Sequence, residues 1–121
     1  MLNRLNLAPF VCVPVDDGSD YLIFSDIPGN KIYKWDPSNN RVSVVLDPSG
    51  FTGSDATGVG REVNEGGAVF YNLGSNDITL DDEGRIVFNA KGDRQIVRLE
   101  ADGSRTTLAS HYQGKRLNRR Q

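Results

Sequence analysis

The sequence predicts an all-β fold. Three observations predict it. Short runs of β-branched and aromatic residues alternate with clusters of Asp, Asn, Gly, Pro and Ser, the pattern of strands and turns. No window of about 11 residues keeps an apolar face at i, i+3, i+4, i+7, so no helix is expected. A shift of 64 positions lays the later half of the chain on the earlier half, placing Phe24 on Phe88, Ile32 on Ile96 and Arg41 on Arg105.

The elements follow in order. Tyr21-Leu-Ile-Phe-Ser25 is a strand led in by Asp16-Asp17-Gly18-Ser19 and closed by Pro28-Gly29-Asn30. Lys31–Asp36 is a second strand, ended by Pro37-Ser-Asn-Asn40, and Arg41–Leu46 is a third, ended by Asp47-Pro48-Ser49-Gly50. Together they read as an antiparallel meander. The pattern then recurs. Asp81-Asp82-Glu83-Gly84 is a turn, followed by strands at Arg85–Asn89, Gln95–Glu100 and Arg105–Ala109. Ile78–Leu80 supplies an inner strand to this second unit, and Ala68–Tyr71 a short one before it.

A repeat of this kind says that neither unit buries its apolar face alone. Four-stranded meanders ending in Asp-Gly turns are the pattern of β-propeller blades. The expected organisation is an N-terminal segment over 1–15, a first blade over 16–52, an inter-blade loop insertion over 53–75, a second blade over 76–112, and a basic tail over 113–121. Two blades cannot close a ring, since propellers have about four to eight. The reading is therefore an incomplete propeller, and unpaired sheet edges are expected to favour self-association.

Composition narrows the function. Lys and Arg number 14 against 16 Asp and Glu, a net charge of −2, which excludes a chain built to neutralise phosphates, so no nucleic-acid partner is expected. The single Cys12 and single His111 exclude an internal disulfide, a cysteine-pair zinc site and an HExxH site. The longest apolar run, Phe10–Val15, is too short for a membrane span. The start has one positive charge and no clear cleavage site, and no Asn-X-Ser/Thr sequon occurs, which favours a cytoplasmic setting over secretion.

Several motifs carry a resemblance. Phe24-Ser-Asp-Ile-Pro-Gly-Asn-Lys-Ile-Tyr-Lys-Trp-Asp-Pro37 resembles the first blade of the SMP-30/gluconolactonase/LRE family. Gly74-Ser-Asn-Asp-Ile-Thr-Leu-Asp-Asp-Glu-Gly-Arg85, Gly92–Arg98 and Gly114-Lys-Arg-Leu-Asn118 are similar to further segments of it. The resemblance implies a propeller of six blades, of which this chain covers about two. It also implies hydrolysis of a small-molecule lactone or sugar lactone at a divalent metal in the central channel. Calcium, magnesium, manganese or zinc would suit oxygen-rich ligands there, polarising the carbonyl and lowering the pKa of bound water.

The family's metal ligands have no counterparts in this chain. Pro9–Asp17 carries no Glu where the family places one, and the pattern leaves the family's run at Asn118, before the next ligand. The chain is thus expected to bind no metal and to have no catalytic residue of its own. One position carries over: Asn76 stands where the family's asparagine faces the channel and touches substrate, and its amide can both donate and accept. Asp77 follows it where the family has Gly, and Ala90-Lys91 replaces a Glu-His pair.

Other candidates have plainer readings. Cys12 is expected to be a buried small hydrophobe, His111 a surface residue and Asp81–Gly84 a blade turn. Trp35 and Tyr33 could stack on a sugar, but Trp35 aligns with Leu99 and is expected to pack between sheets. Lys115, Arg116, Arg119 and Arg120 form a solvated basic end. The function reading is a fragment of a lactone hydrolase, inactive as given. The alternatives are a non-catalytic or self-assembling β module and, against the repeat, a carbohydrate-binding β-sandwich.

Overall fold

The structure is a computed structural model. It describes residues 10–13, 20–56, 59, 61–63 and 65–117. Every regular element among them is a β-strand, and none of the described residues is in a helix.

The first sheet contains β1 (Phe10–Val13), β2 (Tyr21–Asp26), β3 (Lys31–Asp36) and β4 (Arg41–Leu46), neighbours in that order and all antiparallel. A hairpin of β5 (Arg61–Val63) and β6 (Val69–Tyr71) follows. The second sheet contains β7 (Ser75–Leu80), β8 (Ile86–Ala90), β9 (Gln95–Leu99) and β10 (Arg105–Ala109), again a simple antiparallel meander. A last small hairpin pairs β11 (His111–Tyr112) with β12 (Lys115–Arg116). These are two propeller-type blades. The first draws its opening strand from the segment before residue 16, and the expected loop over 53–75 contains a hairpin. Asp16, Asp17 and Asn118 to Gln121 lie outside the described residues.

Turn chemistry explains the meanders. Asn30 and Asn40 adopt positive φ of 59° and 55° at the ends of their turns, a conformation that asparagine tolerates better than most residues. Asp26 accepts from the Gly29 amide at 2.9 Å, and Asp36 accepts from the Ser38 amide at 3.0 Å. In the second sheet Gly103, at φ 87°, closes a tighter turn in which the Glu100 and Ser104 backbones are bonded. Pairing across that turn closes one residue sooner than across its counterpart. Arg105 therefore pairs with Leu99, whereas Val42 pairs with Trp35. A one-residue slip exchanges the two faces of a strand. Arg105, not Thr106, thus joins the face that meets the first sheet.

The two sheets pack face to face. Ile23 and Ile32 of the first form one core with Ile78, Phe88, Ala90 and Val97 of the second. Each of the six is at most 2% exposed. The inner strand β7 packs against β1 and β2. The opposite face of the first sheet points outward. Cys12 lies there, exposed, instead of being buried as expected, because strand alternation sends Phe10 and Cys12 away from Val11 and Val13. Trp35 is on that face too. It sits beside Leu22 and Val42 across the strands and donates its indole N–H to Asn40 at 3.0 Å, so it is half-buried and not between the sheets.

A polar clasp holds the sheets at one end. The Asn30 side chain accepts from the Gly50 and Phe51 amides at 2.8 and 3.0 Å and donates to the Phe51 carbonyl at 2.9 Å. The Gly74 amide donates to the Ile27 carbonyl, Gly92 to Leu73 and Asp93 to Gly50. Ser75 donates its amide to the Ser49 hydroxyl at 3.1 Å and shares a 2.9 Å hydrogen bond with the Ser25 hydroxyl. Arg105 donates to the carbonyls of Ser49, at 2.9 Å, and Pro48, and its guanidinium lies 5.9 Å from the Phe88 ring centroid.

This clasp leaves no room for a side chain at Gly50. A Cβ there would lie 2.2 Å from the Gly74 carbonyl carbon and 2.3 Å from the Leu73 oxygen. Backbone atoms on both sides cannot yield cheaply. Gly50→Ala is expected to destabilise the chain by about 3 kcal/mol, read as a lowered urea midpoint. A loss below about 0.5 kcal/mol, the range of neutral surface changes, would refute this account of the clasp.

Candidate functional site

The site is built on a bulge. In β7, Ser75 pairs with Ala90 and Ile78 with Phe88, so Asn76 and Asp77 together stand against the single Asn89. Such bulges bend a strand and re-aim side chains. Asn76 comes directly after the serine that bridges both sheets, and it is 8% exposed. The inner strand thus holds an amide near the junction of the two blades. This is the position that sequence resemblance singled out.

The neighbouring positions separate. Asp77 is half-buried and lines a shallow depression of about 140 Å³ with Thr79, Val87, Asn89 and Ile96; Asn76 does not line it. Lys91 is buried at the start of the β8–β9 turn and Ala90 is fully buried beside it. Ser25, Ser49 and Ser75 form the polar surroundings of the bulge. Ser25 and Ser75 lie inside two of the motifs that carry the resemblance, while no sequence signal pointed to Ser49.

The other candidates fall elsewhere. His111 is exposed in the last hairpin, its Nδ1 2.8 Å from the hydroxyl of the adjacent Ser110. Arg116 donates to the Asp93 carbonyl at 2.6 Å. Tyr33 stacks on Phe24 on the outward face of the first sheet, ring centroids 5.6 Å apart. Cys12 is exposed in β1. None of these approaches the bulge as part of one cluster. Divalent metals need several converging donors. Among the described residues no three His, Cys, Asp or Glu side chains come together, so these residues do not fit the metal that the family resemblance implies. Among them, too, no helix is long and apolar enough to cross a membrane.

The strongest electrostatics belong to the blade turns. The Arg85 amide, which donates to the Asp81 carboxylate at 2.8 Å, does most to hold that carboxyl below its ordinary value, helped by the Arg85 guanidinium. Glu100 is lowered first by the Thr106 hydroxyl at 2.6 Å and then by Arg98 at 2.8 Å. The Ser104 hydroxyl and amide lower Asp102. Arg85 is raised in turn by its bond to Asp81. These groups fix turns and are remote from Asn76 in the strand register.

The comparisons with known proteins agree with this architecture. No family model matches the chain. A gluconolactonase of Zymomonas mobilis subsp. mobilis is 32% identical over 100 residues, covering 82% of this chain and 25% of that protein. The chain thus spans about a quarter of the length of the curated relative it matches. A solved structure of a gluconolactonase from Xanthomonas campestris matches 92% of this chain and 29% of its own, with a TM-score of 0.60 and 24% identity. That likeness shows the fold: the two sheets correspond to a part of that structure.

The carboxylates give a signed expectation. Their folded pKa values lie below the unfolded ones, so the folded chain binds fewer protons in mild acid. Their stabilisation is present above the ordinary carboxylate value and is lost as pH falls through the lowered one. Unfolding in urea between about pH 5 and about pH 2 should show falling stability, and Asp81→Asn should flatten that fall. An unchanged slope in the variant would refute the assignment.

Proposed function

We propose that this gluconolactonase-like chain supplies two blades of a lactone hydrolase and that Asn76 contacts the substrate. What carries the reading is the sequence match to a gluconolactonase together with a nearly buried amide in the bulge of an inner strand. Opening a lactone ring places negative charge on the carbonyl oxygen and needs the ring held in one orientation. The Asn76 side chain can donate its N–H to a carbonyl or ring oxygen while its own oxygen accepts from a substrate hydroxyl. Held in the sheet, it costs little to reorganise as charge develops. The divalent metal that the family resemblance implies would supply Lewis-acid chemistry at the carbonyl. The described residues of this chain supply orientation and not that metal's ligands.

The partner is a small sugar lactone. The purified chain is expected to turn over no gluconolactone, because the described residues assemble no metal donor set. EDTA-sensitive turnover would overturn that. Binding separates the two parts of the reading. In an NMR titration with gluconolactone, the Asn76 side-chain amide should shift. Asn76→Ala should weaken binding about tenfold, the worth of one hydrogen bond to a polar ligand, while far-UV circular dichroism stays unchanged. An amide that does not move at saturating ligand would refute the role of Asn76.

A further inference from the structure

Lys91 is a lysine that the fold buries without an anion. The residue is 3% exposed, whereas the side chain of Lys31, which pairs with Asp47, is 37% exposed. Lysines ordinarily bury the methylene stem and keep the ammonium in water. Among the described residues the ion pairs engage Lys31, Arg85 and Arg98, and the Lys91 side chain donates no hydrogen bond. Every fully enclosed side-chain nitrogen or oxygen among those residues has a partner, so the Lys91 Nζ is not sealed in; it ends at a narrow opening. The acidic residues nearest in the chain are turned to other work. Asp93 accepts from the Thr52 amide and hydroxyl at 3.0 and 2.8 Å. Asp77 lines the depression on the outward face of the second sheet, which neither Lys91 nor Asn76 lines. A cation held largely out of water with no counter-charge is costly, and an arriving anion relieves that cost.

The fold fixes this lysine beside Asn76. Ser75 pairs with Ala90, so Asn76 and Lys91 are the residues that follow the two partners. In an antiparallel ladder these are diagonal positions, with Cα atoms about 8 Å apart, a span that long side chains reach across. The turn that carries Lys91 is pinned on both sides. The Gly92 amide donates to the Leu73 carbonyl at 3.1 Å and the Asp93 amide to the Gly50 carbonyl at 2.7 Å. The Arg94 amide closes the turn on the Lys91 carbonyl at 3.2 Å. A backbone already held in this way pays little ordering entropy when a ligand binds.

We propose that Lys91 receives an anionic group of the substrate, so that the preferred ligand is the lactone of an acidic sugar, one whose ring carries a carboxylate or a phosphate. The proposal rests on the lactone reading and extends it from the ring to the charge on the ring. Asn76 holds a ring or carbonyl oxygen, and the ammonium takes the anion on the far side of the sugar. A charge-assisted hydrogen bond at a largely dry ammonium favours the charged ligand over its neutral analogue.

Calorimetric titration of the full chain at constant ionic strength tests it with three probes: gluconolactone, which is neutral, saccharolactone, which carries a carboxylate, and 6-phosphogluconolactone. At least one acidic lactone should bind about tenfold more tightly than gluconolactone, the worth of one hydrogen bond between charged groups. The stronger of the two tells a carboxylate site from a phosphate site. In Lys91→Met, which keeps an unbranched side chain and removes the charge, the acidic-to-neutral ratio should fall to about one. Lys91→Gln serves as the second variant should the first misfold. The Met variant should also unfold at a higher urea concentration, because an uncompensated buried cation is gone. Equal affinities for all three lactones in the wild type would overturn the proposal, as would a preference for acidic lactones that survives the loss of Lys91. Failure of the lactone reading looks different: no lactone, neutral or acidic, then moves the Asn76 side-chain amide, and the proposal falls with it.

Discussion

The close approach of three backbone segments at Gly50, Gly74 and Gly92 is the constraint on which the two-blade unit rests. A Cβ at any of the three would meet another atom within 2.2 to 2.7 Å. Absent side chains let amides reach carbonyls across the blade boundary, and Asn30 completes the lattice by answering two amides and one carbonyl with a single side chain. Hydrophobic burial between the sheets is non-directional and would tolerate sliding. The clasp supplies direction. It fixes which strand of one blade lies against which of the next, and so places β7 against β1 and β2.

That placement leads to the bulge. Ser75 is tied on both sides, through its amide to Ser49 and through its hydroxyl to Ser25. The extra residue in β7 follows immediately, so the ladder is interrupted at its best-anchored point. Asn76 is thus held by a neighbour that cannot move far. The charged cluster of Arg85, Arg98 and Glu100 works at the turns instead, where ion pairs are partly exposed and fix local geometry more than global stability.

Much of this was legible in the sequence, because strand and turn signals are local. Leu22–Phe24, Ile32–Trp35 and Ile86–Asn89 all fell in strands, and Asn30, Gly84 and Gly103 in turns. The strand at Phe10–Val13 was not read, because the loop after it is longer than its counterpart and breaks the gapless repeat. Cys12 was misjudged for the same reason: without the strand its alternation was invisible. Trp35 was placed by alignment with Leu99, but the repeat relates equivalent faces, and the equivalent of a covered face in one blade is an uncovered face in the other. Asn76 came from resemblance and not from pattern. The clasp was illegible because its partners, such as Asn30 and Phe51 or Arg105 and Ser49, are far apart in sequence and meet through backbone atoms that any residue possesses.

The tighter turn at Ala101–Gly103 has a bearing on how the two blades came to differ. Arg41 and Arg105 are the same position of the repeat, yet only Arg105 takes the place that Val42 holds in the first blade. A one-residue slip in pairing does it in a single step, with both turns keeping the same number of residues in the repeat, since the side chains of β10 from Arg105 to Thr107 change face together. Arg105 then inherits the place of an aliphatic residue and reaches the carbonyls of Ser49 and Pro48. In a tandem repeat, register slips at hairpin turns are therefore a coarse and rapid source of divergence. They convert copies of one blade into partners with unlike surfaces while leaving the core sequence recognisable.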